Sequence, residues 1–219
     1  MIQNKINIYF FFFLISFSYS QNSYNQHGER DGVWSSFHEN GSIKYRGQFH
    51  NGSEFGVFMY YDWEGNLAVK LNYIDTGFTS LATIYYSNGK IKSHGTYLNK
   101  KKTLLWQTYR LTGSRVSQEN YKNGILHGQS IYYFDNGSVA EIFHYVNGLK
   151  HGEGKLLYNS GYINMKCNYV NGLKHGLSEF YYNQKGLNLE STGYYNKGKK
   201  DSTWIFYDLN GGVLRSNNF

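Results

Sequence analysis

The chain has 219 residues, of which 40% are hydrophobic and 17% charged, and its formal net charge is +7. It contains 25 Gly, 23 Tyr, 15 Phe and 4 Trp but no Pro, a composition that favours β-structure over helical folds and excludes proline-rich linkers. The single Cys excludes an intramolecular disulfide, zinc ribbons and CxxC redox sites.

Residues 1–20 predict a secretory signal peptide. Lys5 precedes an apolar run at 8–17, and small residues follow, so we expect cleavage near Ser20 and Gln21. The run is about ten residues long, whereas a helix needs about 20 to span a bilayer, which makes a membrane anchor the weaker interpretation. We therefore expect a secreted, periplasmic or cell-surface protein. Without this segment the chain has 21 basic and 15 acidic side chains, a net charge of +6.

A period of 24 residues organises the rest of the chain, residues 21–219. The segments at 123–128, 147–152 and 171–176 read NGILHG, NGLKHG and NGLKHG. Stepping by 24 from Gly32 reaches a further glycine in most units, with a final step of 26 near the C-terminus. The pattern predicts a single array of eight repeats, near residues 28–51, 52–75, 76–99, 100–123, 124–147, 148–171, 172–197 and 198–219.

Each unit has two turn signals separated by two runs of about seven to nine residues, which predicts one β-hairpin per unit. Asn-Gly pairs such as Asn40-Gly41 favour hairpin turns with positive φ, and we expect a type I′ turn at Gly137. Because a lone hairpin is marginal in water, the units must stack edge to edge. The expected fold is all-β, an elongated antiparallel sheet of about 16 strands built from eight hairpins. We expect the twist to change in units three and four, where other residues replace the usual Gly: Thr76, Ser80, Lys100 and Leu104.

Two columns of aromatic side chains recur with the repeat. One follows the first-strand glycine by five residues, as at Tyr133, and the other closes the second strand, as at Tyr145. We expect these columns to form mainly the core, because a single-layer sheet has little else with which to exclude water. The open alternative is a partly exposed row that binds a ligand.

The pattern NG-x-x-HG, followed by an aromatic pair, a second NG and a strand that ends in Tyr, resembles the variant MORN repeat of YwqK-like proteins. The resemblance covers about residues 24–211 and is strongest in residues 121–182. It implies a β-hairpin repeat scaffold without a catalytic centre, associated with protein binding and with membrane phospholipids. YwqK-like proteins often carry an antitoxin label, which fits an exported protein poorly because export would separate it from a cytoplasmic toxin.

The chemistry-bearing residues predict neither an enzyme nor a cofactor or metal site. His127, His151 and His175 share one repeat phase, but equivalent positions lie two strand steps apart, ~9 to 10 Å, which is too far for one zinc ion. Cys167 lies within a predicted strand, and no Ser lies in a GxSxG motif. We therefore expect a protein that binds without catalysis.

The expected function is binding of a macromolecular partner, foremost a protein. The alternative is a module that binds a carbohydrate or a membrane or envelope surface through exposed aromatic rows. We expect no nucleic-acid partner, because the basic runs are short. Trp63 is the first candidate for a partner contact, since it stands two residues before a turn Gly where other units have polar or small residues. Energy in protein interfaces concentrates in a few aromatic side chains, and four tryptophans follow the repeat imperfectly, so the candidate set is Trp63, Trp34, Trp106 and Trp204.

Overall fold

The computed structural model describes residues 22–75 and 77–219, so the predicted signal peptide lies outside the described residues. Within them the chain forms one antiparallel sheet of 18 strands and no helix, which confirms the predicted all-β hairpin array. The strands are β1 Ser23–Tyr24, β2 Arg30–Phe37, β3 Ile43–His50, β4 Ser53–Tyr61, β5 Leu67–Tyr73, β6 Thr79–Tyr85, β7 Ile91–Leu98, β8 Lys101–Tyr109, β9 Arg115–Lys122, β10 Ile125–Tyr133, β11 Val139–Val146, β12 Leu149–Lys150, β13 Gly152–Leu157, β14 Ile163–Val170, β15 Leu173–Tyr181, β16 Leu189–Asn196, β17 Lys199–Tyr207 and β18 Val213–Asn218.

Strands pair with their neighbours along the chain, which makes the sheet an elongated meander. Strands β2 to β18 form eight hairpins, and the first strand of the sixth hairpin is divided into β12 and β13. The short strand β1 covers the outer edge of β2. Next to it, the Asn22 side chain accepts from the Ser35 N–H at 2.8 Å and donates to the Ser35 carbonyl at 3.0 Å, which extends the cover over that edge.

The two turns of each unit differ in backbone geometry. At six of the turns between units, both central residues have positive φ, as at Asn147 (51°) and Gly148 (82°), which is the type I′ geometry. Inside the hairpin, Gly137 has a φ of 85°, and its N–H donates to the Phe134 carbonyl at 3.0 Å. Three residues, not two, connect the paired ends here, so the turn is type I followed by a glycine bulge. Positive φ at Gly137 is confirmed, whereas the type I′ expectation is wrong for this turn.

The recurring first-strand glycine marks a β-bulge. Gly128 has a φ of 101°, and the pairing of β10 with β9 shifts register between Leu126 and Ser130. In unit three Ser80 replaces the glycine, and β5 and β6 pair without a register shift. A bulge adds local twist, so its loss in unit three is a physical reason to expect the predicted change of twist there. We call this place in the repeat the bulge position: residues 32, 56, 80, 104, 128, 152, 176 and 202.

In unit four the bulge position keeps its positive φ although it is occupied by Leu104, which unlike glycine carries a Cβ. Leu104 has a φ of 57°, which costs ~1–2 kcal/mol for an ordinary residue, and its side chain is 64% exposed and recovers little by burial. We expect Leu104→Gly to raise the free energy of unfolding by about 0.5–1 kcal/mol, after the added freedom of the unfolded chain is counted. Urea unfolding measures this. Leu105→Gly is the control and should destabilise, because Leu105 lacks a positive φ; a loss of stability in Leu104→Gly would contradict the strain.

Most buried side chains form a core on one face of the sheet, which we call face A; the opposite face is face B, where Tyr181 is buried. A central row of side chains forms the middle of this core. The row contains the residue two positions after the bulge position and its cross-strand partner. Large rings lie beside small residues: a Cβ added to Gly95 would overlap the Trp106 indole. Ser130 likewise pairs with Phe143. Overlap between a ring and a glycine recurs in three further pairs: Phe58 with Gly47, Phe143 with Gly154 and Trp204 with Gly193.

Candidate functional site

The structure places the candidate tryptophans in two environments. Trp34, Trp106 and Trp204 are 7%, 1% and 1% exposed. The Trp106 indole N–H donates to the Thr96 carbonyl at 3.0 Å, and that of Trp204 to the Tyr194 carbonyl at 3.1 Å. The three rings are therefore core residues, and a partner would not reach them without opening the hairpins. Burial thus counts against the partner contacts predicted for these three side chains.

The sequence contains a signal for the burial of these three tryptophans, although the prediction of partner contacts did not use it. Trp34, Trp106 and Trp204 each stand two residues after the bulge position, so they are regular members of one repeat column. Their column looked irregular because other units place Phe58 or a small residue there, and the cross-strand neighbour compensates for the difference in volume. The residues of this column vary in size because each is matched in volume to its neighbour on the next strand. A single column does not show that match, so the tryptophans seem irregular in sequence.

Trp63 is 55% exposed and lies in the turn after β4. Its ring stacks on that of His38, with ring centroids 4.5 Å apart and an interplanar angle of 28°. Its carbonyl accepts from the Asn40 side chain of the preceding unit at 2.9 Å. The indole ring is thus held in place by a neighbour while much of its surface faces solvent. Its role as a partner contact stays a prediction.

The two tyrosine columns lie on opposite faces of the sheet. Tyr145 is on face A, beside the core residue Phe143. Tyr133 lies on face B, where its hydroxyl donates to the side chain of Gln118. The separation follows from the alternation of side chains along a strand: Gly128 pairs with Tyr145, and Tyr133 comes an odd number of residues, five, after Gly128 on the same strand. The columns alone do not show this, because the cross-strand pairing of Gly128 with Tyr145 is not visible in the sequence.

Face A carries alternating Tyr and Lys side chains near the type I′ turns. Nζ of Lys150 lies 3.3 Å from the ring centroid of Phe143, and Nζ of Lys200 lies 4.3 Å from that of Trp204. Burial lowers the pKa of Lys150; Glu141 opposes this shift, and Lys174 adds to it. The members are cross-strand pairs, which we call the lysine–tyrosine row: Tyr145 with Lys150, Tyr169 with Lys174 and Tyr195 with Lys200.

Face B carries a contiguous group of exposed apolar side chains in units five to seven. Val146 pairs with Leu149, and Val170 pairs with Leu173. Leu149 also packs over the turn glycine Gly172 of the next unit. We call this group the apolar patch, with exposed fractions in parentheses: Val146 (36%), Leu149 (50%), Val170 (42%), Leu173 (50%), Leu177 (41%) and Tyr194 (51%).

A surface depression of about 490 Å³ borders the apolar patch. Val146 belongs to both, and His144 and His151 line the depression beside it. The backbone N–H of His151 donates to the carbonyl of His144 at 2.8 Å, which fixes the two residues on neighbouring strands. The depression offers a recess beside exposed aliphatic side chains, the setting in which a partner's large side chain is best desolvated.

A smaller cavity of about 230 Å³ lies between units two and three, on face A. The Tyr73 hydroxyl donates to the Glu54 carboxylate at 2.6 Å, and Lys100 lies 3.4 Å from the same carboxylate. Burial and this hydrogen bond raise the pKa of Tyr73, and burial raises that of Tyr60 to about 12, so both phenols stay neutral. The cavity is smaller than the ~300 Å³ at the lower end of ligand pockets, and its polar groups satisfy one another.

The absence of catalytic and metal chemistry stays a prediction, and the surroundings of the reactive side chains are the structural facts that bear on it. Cys167 is 1% exposed, its Sγ lies 2.9 Å from Ser178 Oγ, and burial raises the pKa of its thiol, which disfavours the nucleophilic thiolate. In residues 22–75 and 77–219, no three His, Cys, Asp or Glu side chains come close enough to hold a metal ion. No helix long and apolar enough to cross a membrane occurs in this described part of the chain.

Comparison with known proteins finds MORN repeats in the chain and, beyond them, only a weak structural likeness to two solved structures. The family model for the MORN repeat variant matches residues 30–51, 80–99 and 126–147, and the model for the MORN repeat matches residues 144–161. No curated protein matches the chain. A crystal structure of TarM aligns with 43% of this chain and 19% of its own, at 16% identity and a TM-score of 0.32. A mutant of S. aureus TarM, in complex with fondaparinux, alpha-GlcNAc-glycerol and UDP, aligns with 44% and 19%, at 15% identity and a TM-score of 0.33.

The chain spans about a fifth of these TarM structures, and the structural likeness is too low to bear on function. The YwqK-like assignment gains no support from the comparisons. The repeat matches, in contrast, coincide with the fold: the segment 30–51 contains β2 and β3, and 126–147 contains most of β10 and all of β11. The chain therefore contains MORN repeats, a non-catalytic type of repeat that generally serves in binding.

Proposed function

We propose that this protein is an exported, non-catalytic repeat scaffold that binds a protein partner through the apolar patch on face B. The patch carries the proposal: six apolar side chains, each exposed by 36% to 51%, lie side by side over three hairpins. Soluble proteins rarely expose large contiguous apolar surface, and such patches mark interaction sites. Export rests on the character of residues 1–20, and the scaffold role rests on the repeats.

The surroundings of the patch support a protein as the partner. Glu153 and Asn168 form a cross-strand pair on face B, and Asp201 pairs with Tyr194 at the other end of the patch. Protein interfaces commonly combine an apolar centre with a polar rim of this kind. The patch lies on strands rather than on a long loop, so its backbone is already ordered and binding would cost little conformational entropy.

The partner is expected to be lost when the patch becomes polar. The test compares cross-linked complexes captured from envelope extract by the wild-type protein and by the variant Leu149→Ser/Leu173→Ser, followed by purification of the captured protein and measurement of its Kd. We expect the variant to weaken binding at least about tenfold, or ~1.4 kcal/mol. Leu111→Ser/Leu209→Ser is the matched control, because Leu111 and Leu209 are 50% and 56% exposed at the opposite turn edge.

Trp63 is a second proposed contact, and its variant separates the two surfaces. Trp63→Ala should leave the melting temperature nearly unchanged, since more than half of the side chain already faces solvent, and should weaken binding by at least ~1 kcal/mol if the partner reaches that turn. Loss of binding in Trp63→Ala with full binding in the Leu149→Ser/Leu173→Ser variant would overturn the patch as the binding surface. Equal loss in the Leu111→Ser/Leu209→Ser control would overturn it as well.

A further inference from the structure

We propose that the lysine–tyrosine row on face A binds a linear acidic polysaccharide. This site does not depend on the protein-binding proposal, because the row and the apolar patch lie on opposite faces of the sheet. The row crosses six successive strands of units five to eight and places an ammonium on every second one. The support comes from three features of the row: its regular spacing, the lack of carboxylate partners and the aromatic rings beneath the ammonium groups.

The spacing follows from the sheet itself. Successive strands lie ~4.8 Å apart, so Lys150, Lys174 and Lys200 are separated by two strand steps, ~9 to 10 Å, along a line perpendicular to the strands. A tyrosine lies between consecutive lysines and opposite each of them, as Tyr169 does beside Lys174. The row therefore alternates ammonium donors with phenol groups, which both donate and accept hydrogen bonds. The phenols of Tyr145 and Tyr195 are partly exposed, whereas Tyr169 is 8% exposed and belongs to the core beneath the row.

The ammonium groups of the row lack close ion pairs. Among the described residues no carboxylate lies within ion-pair distance of Lys150, Lys174 or Lys200, whereas Lys100 and Lys155 do have such partners. Glu141 acts on Lys150 only from a longer distance. Their Nζ atoms lie over rings instead, 5.0 Å from the centroid of Tyr195 for Lys174. Lys174 disfavours the charged form of Lys150, so the row contains like charges that repel one another. A bound polyanion would relieve that repulsion.

The charge spacing favours a sparsely charged polymer over nucleic acid. Phosphates recur every ~3.4 Å along one strand of a duplex, so a row with one cation per ~9 to 10 Å would leave most of them without a partner. A polysaccharide with one carboxylate per disaccharide is charged more sparsely. Its hydroxyl groups suit the phenols, and its apolar ring faces suit the aromatic side chains. A flat membrane surface fits less well, because the three lysines are half-buried over the rings and do not protrude.

The test measures binding of the purified protein to hyaluronan, which has one carboxylate per disaccharide, by titration calorimetry at about 50 mM salt. Lys150→Gln/Lys174→Gln/Lys200→Gln should weaken binding at least about tenfold and flatten its salt dependence, while the Gln stems still cover the rings. The matched control carries the same loss of charge on face B and should bind within about twofold of wild type: Lys70→Gln/Lys122→Gln/Lys166→Gln.

Two further measurements keep the proposal falsifiable. Tyr145→Phe/Tyr195→Phe removes only hydroxyls of partly exposed side chains and should weaken hyaluronan binding severalfold, which tests the row even if the triple lysine variant does not fold. Neutral dextran, phosphatidylserine vesicles and a deoxythymidine oligonucleotide are the competing probes. Absence of hyaluronan binding, equal loss in the face B control, or tighter row-dependent binding to the vesicles or the oligonucleotide would each overturn the proposal.

Discussion

Replacing Trp106 with Ala is expected to lower the free energy of unfolding by about 3–5 kcal/mol, a large fraction of the stability of a typical domain. The ring is 1% exposed and packs edge-on against Tyr97, with ring centroids 4.9 Å apart. The Lys102 ammonium lies over its outer side, 4.4 Å from the ring centroid. A single-layer sheet has no second layer to close the space left by the indole. Urea unfolding followed by circular dichroism measures the loss.

A double-mutant cycle identifies Gly95 as the partner of that ring. Gly95→Ala alone should cost ~1–3 kcal/mol, because the new Cβ would overlap the Trp106 indole. In the Trp106→Ala background the same change should be neutral or stabilising, since the methyl group enters the vacated space and Ala suits a strand better than Gly. The expected coupling is therefore ~1–3 kcal/mol.

Gly193→Ala is the matched control for this cycle. Gly193 lies under Trp204, four units along the array from Gly95, so its cost should be the same with and without Trp106. Additive effects of Gly95→Ala and Trp106→Ala would contradict the ring-over-glycine packing. Coupling of Gly193→Ala to Trp106→Ala would show that the cycle reports global loosening of the sheet rather than this contact.

The hairpin array could be predicted from the sequence because its signals are local and periodic. Gly137 marks a turn by its own conformational preference, and each unit repeats that preference at a fixed spacing. The side of the sheet on which a residue lies is harder to predict, because it depends on which residues pair across neighbouring strands, and a column that keeps the period does not show this pairing. Tyr133 and Tyr145 illustrate this: they look alike in sequence, yet one faces each side of the sheet.

The apolar patch and the lysine–tyrosine row could not be predicted from the sequence for a different reason. Leu149 and Leu173 recur with the period, and a regular apolar position reads as core in a repeat protein, although both are 50% exposed. Lys150 and Lys174 read as ordinary solvated charges until the cross-strand register places them over rings on one face. Registers and partners across strands determine these surfaces, and a pattern along the chain does not contain them. Trp63, which breaks the pattern, was the exposed residue that sequence reasoning did identify.

Deleting residues 155–178 is expected to leave a folded array that is one hairpin shorter. The deletion removes 24 residues in register and joins Gly154 to Glu179. From the core it removes Met165, Cys167, Tyr169 and Ser178, and Tyr195 stands at the position equivalent to Tyr169 in the next unit. Phe143 still covers Gly154, so this ring–glycine contact survives. Stability that is a sum of units and their interfaces should fall only by the share of the lost unit. Circular dichroism and limited proteolysis measure the outcome.

Deleting only residues 155–166 should have the opposite result and abolish cooperative unfolding. It joins Gly154 to Cys167 and removes one turn, so every later strand would have to run opposite to its present direction relative to the strands before the deletion. The type I′ turn at Asn171-Gly172 then lies at the wrong edge, and first strands meet first strands without the complementary bulges. Equal protease resistance of the two deletion proteins would contradict an array built from register-dependent hairpins.

A third deletion, of residues 129–152, tests whether units are interchangeable. It also removes 24 residues in register, so the hairpin phase is kept and the shorter array should fold. It removes Phe143, however, and leaves Gly154 opposite Glu119 without the ring that covers it. Loss of a buried Phe costs about 3–5 kcal/mol, so this protein should be less stable than the 155–178 deletion, which loses the smaller buried Met165 but keeps the ring over Gly154. Equal stability would mean that period alone holds the array together; the expected difference would show that each hairpin is matched in size to its neighbours.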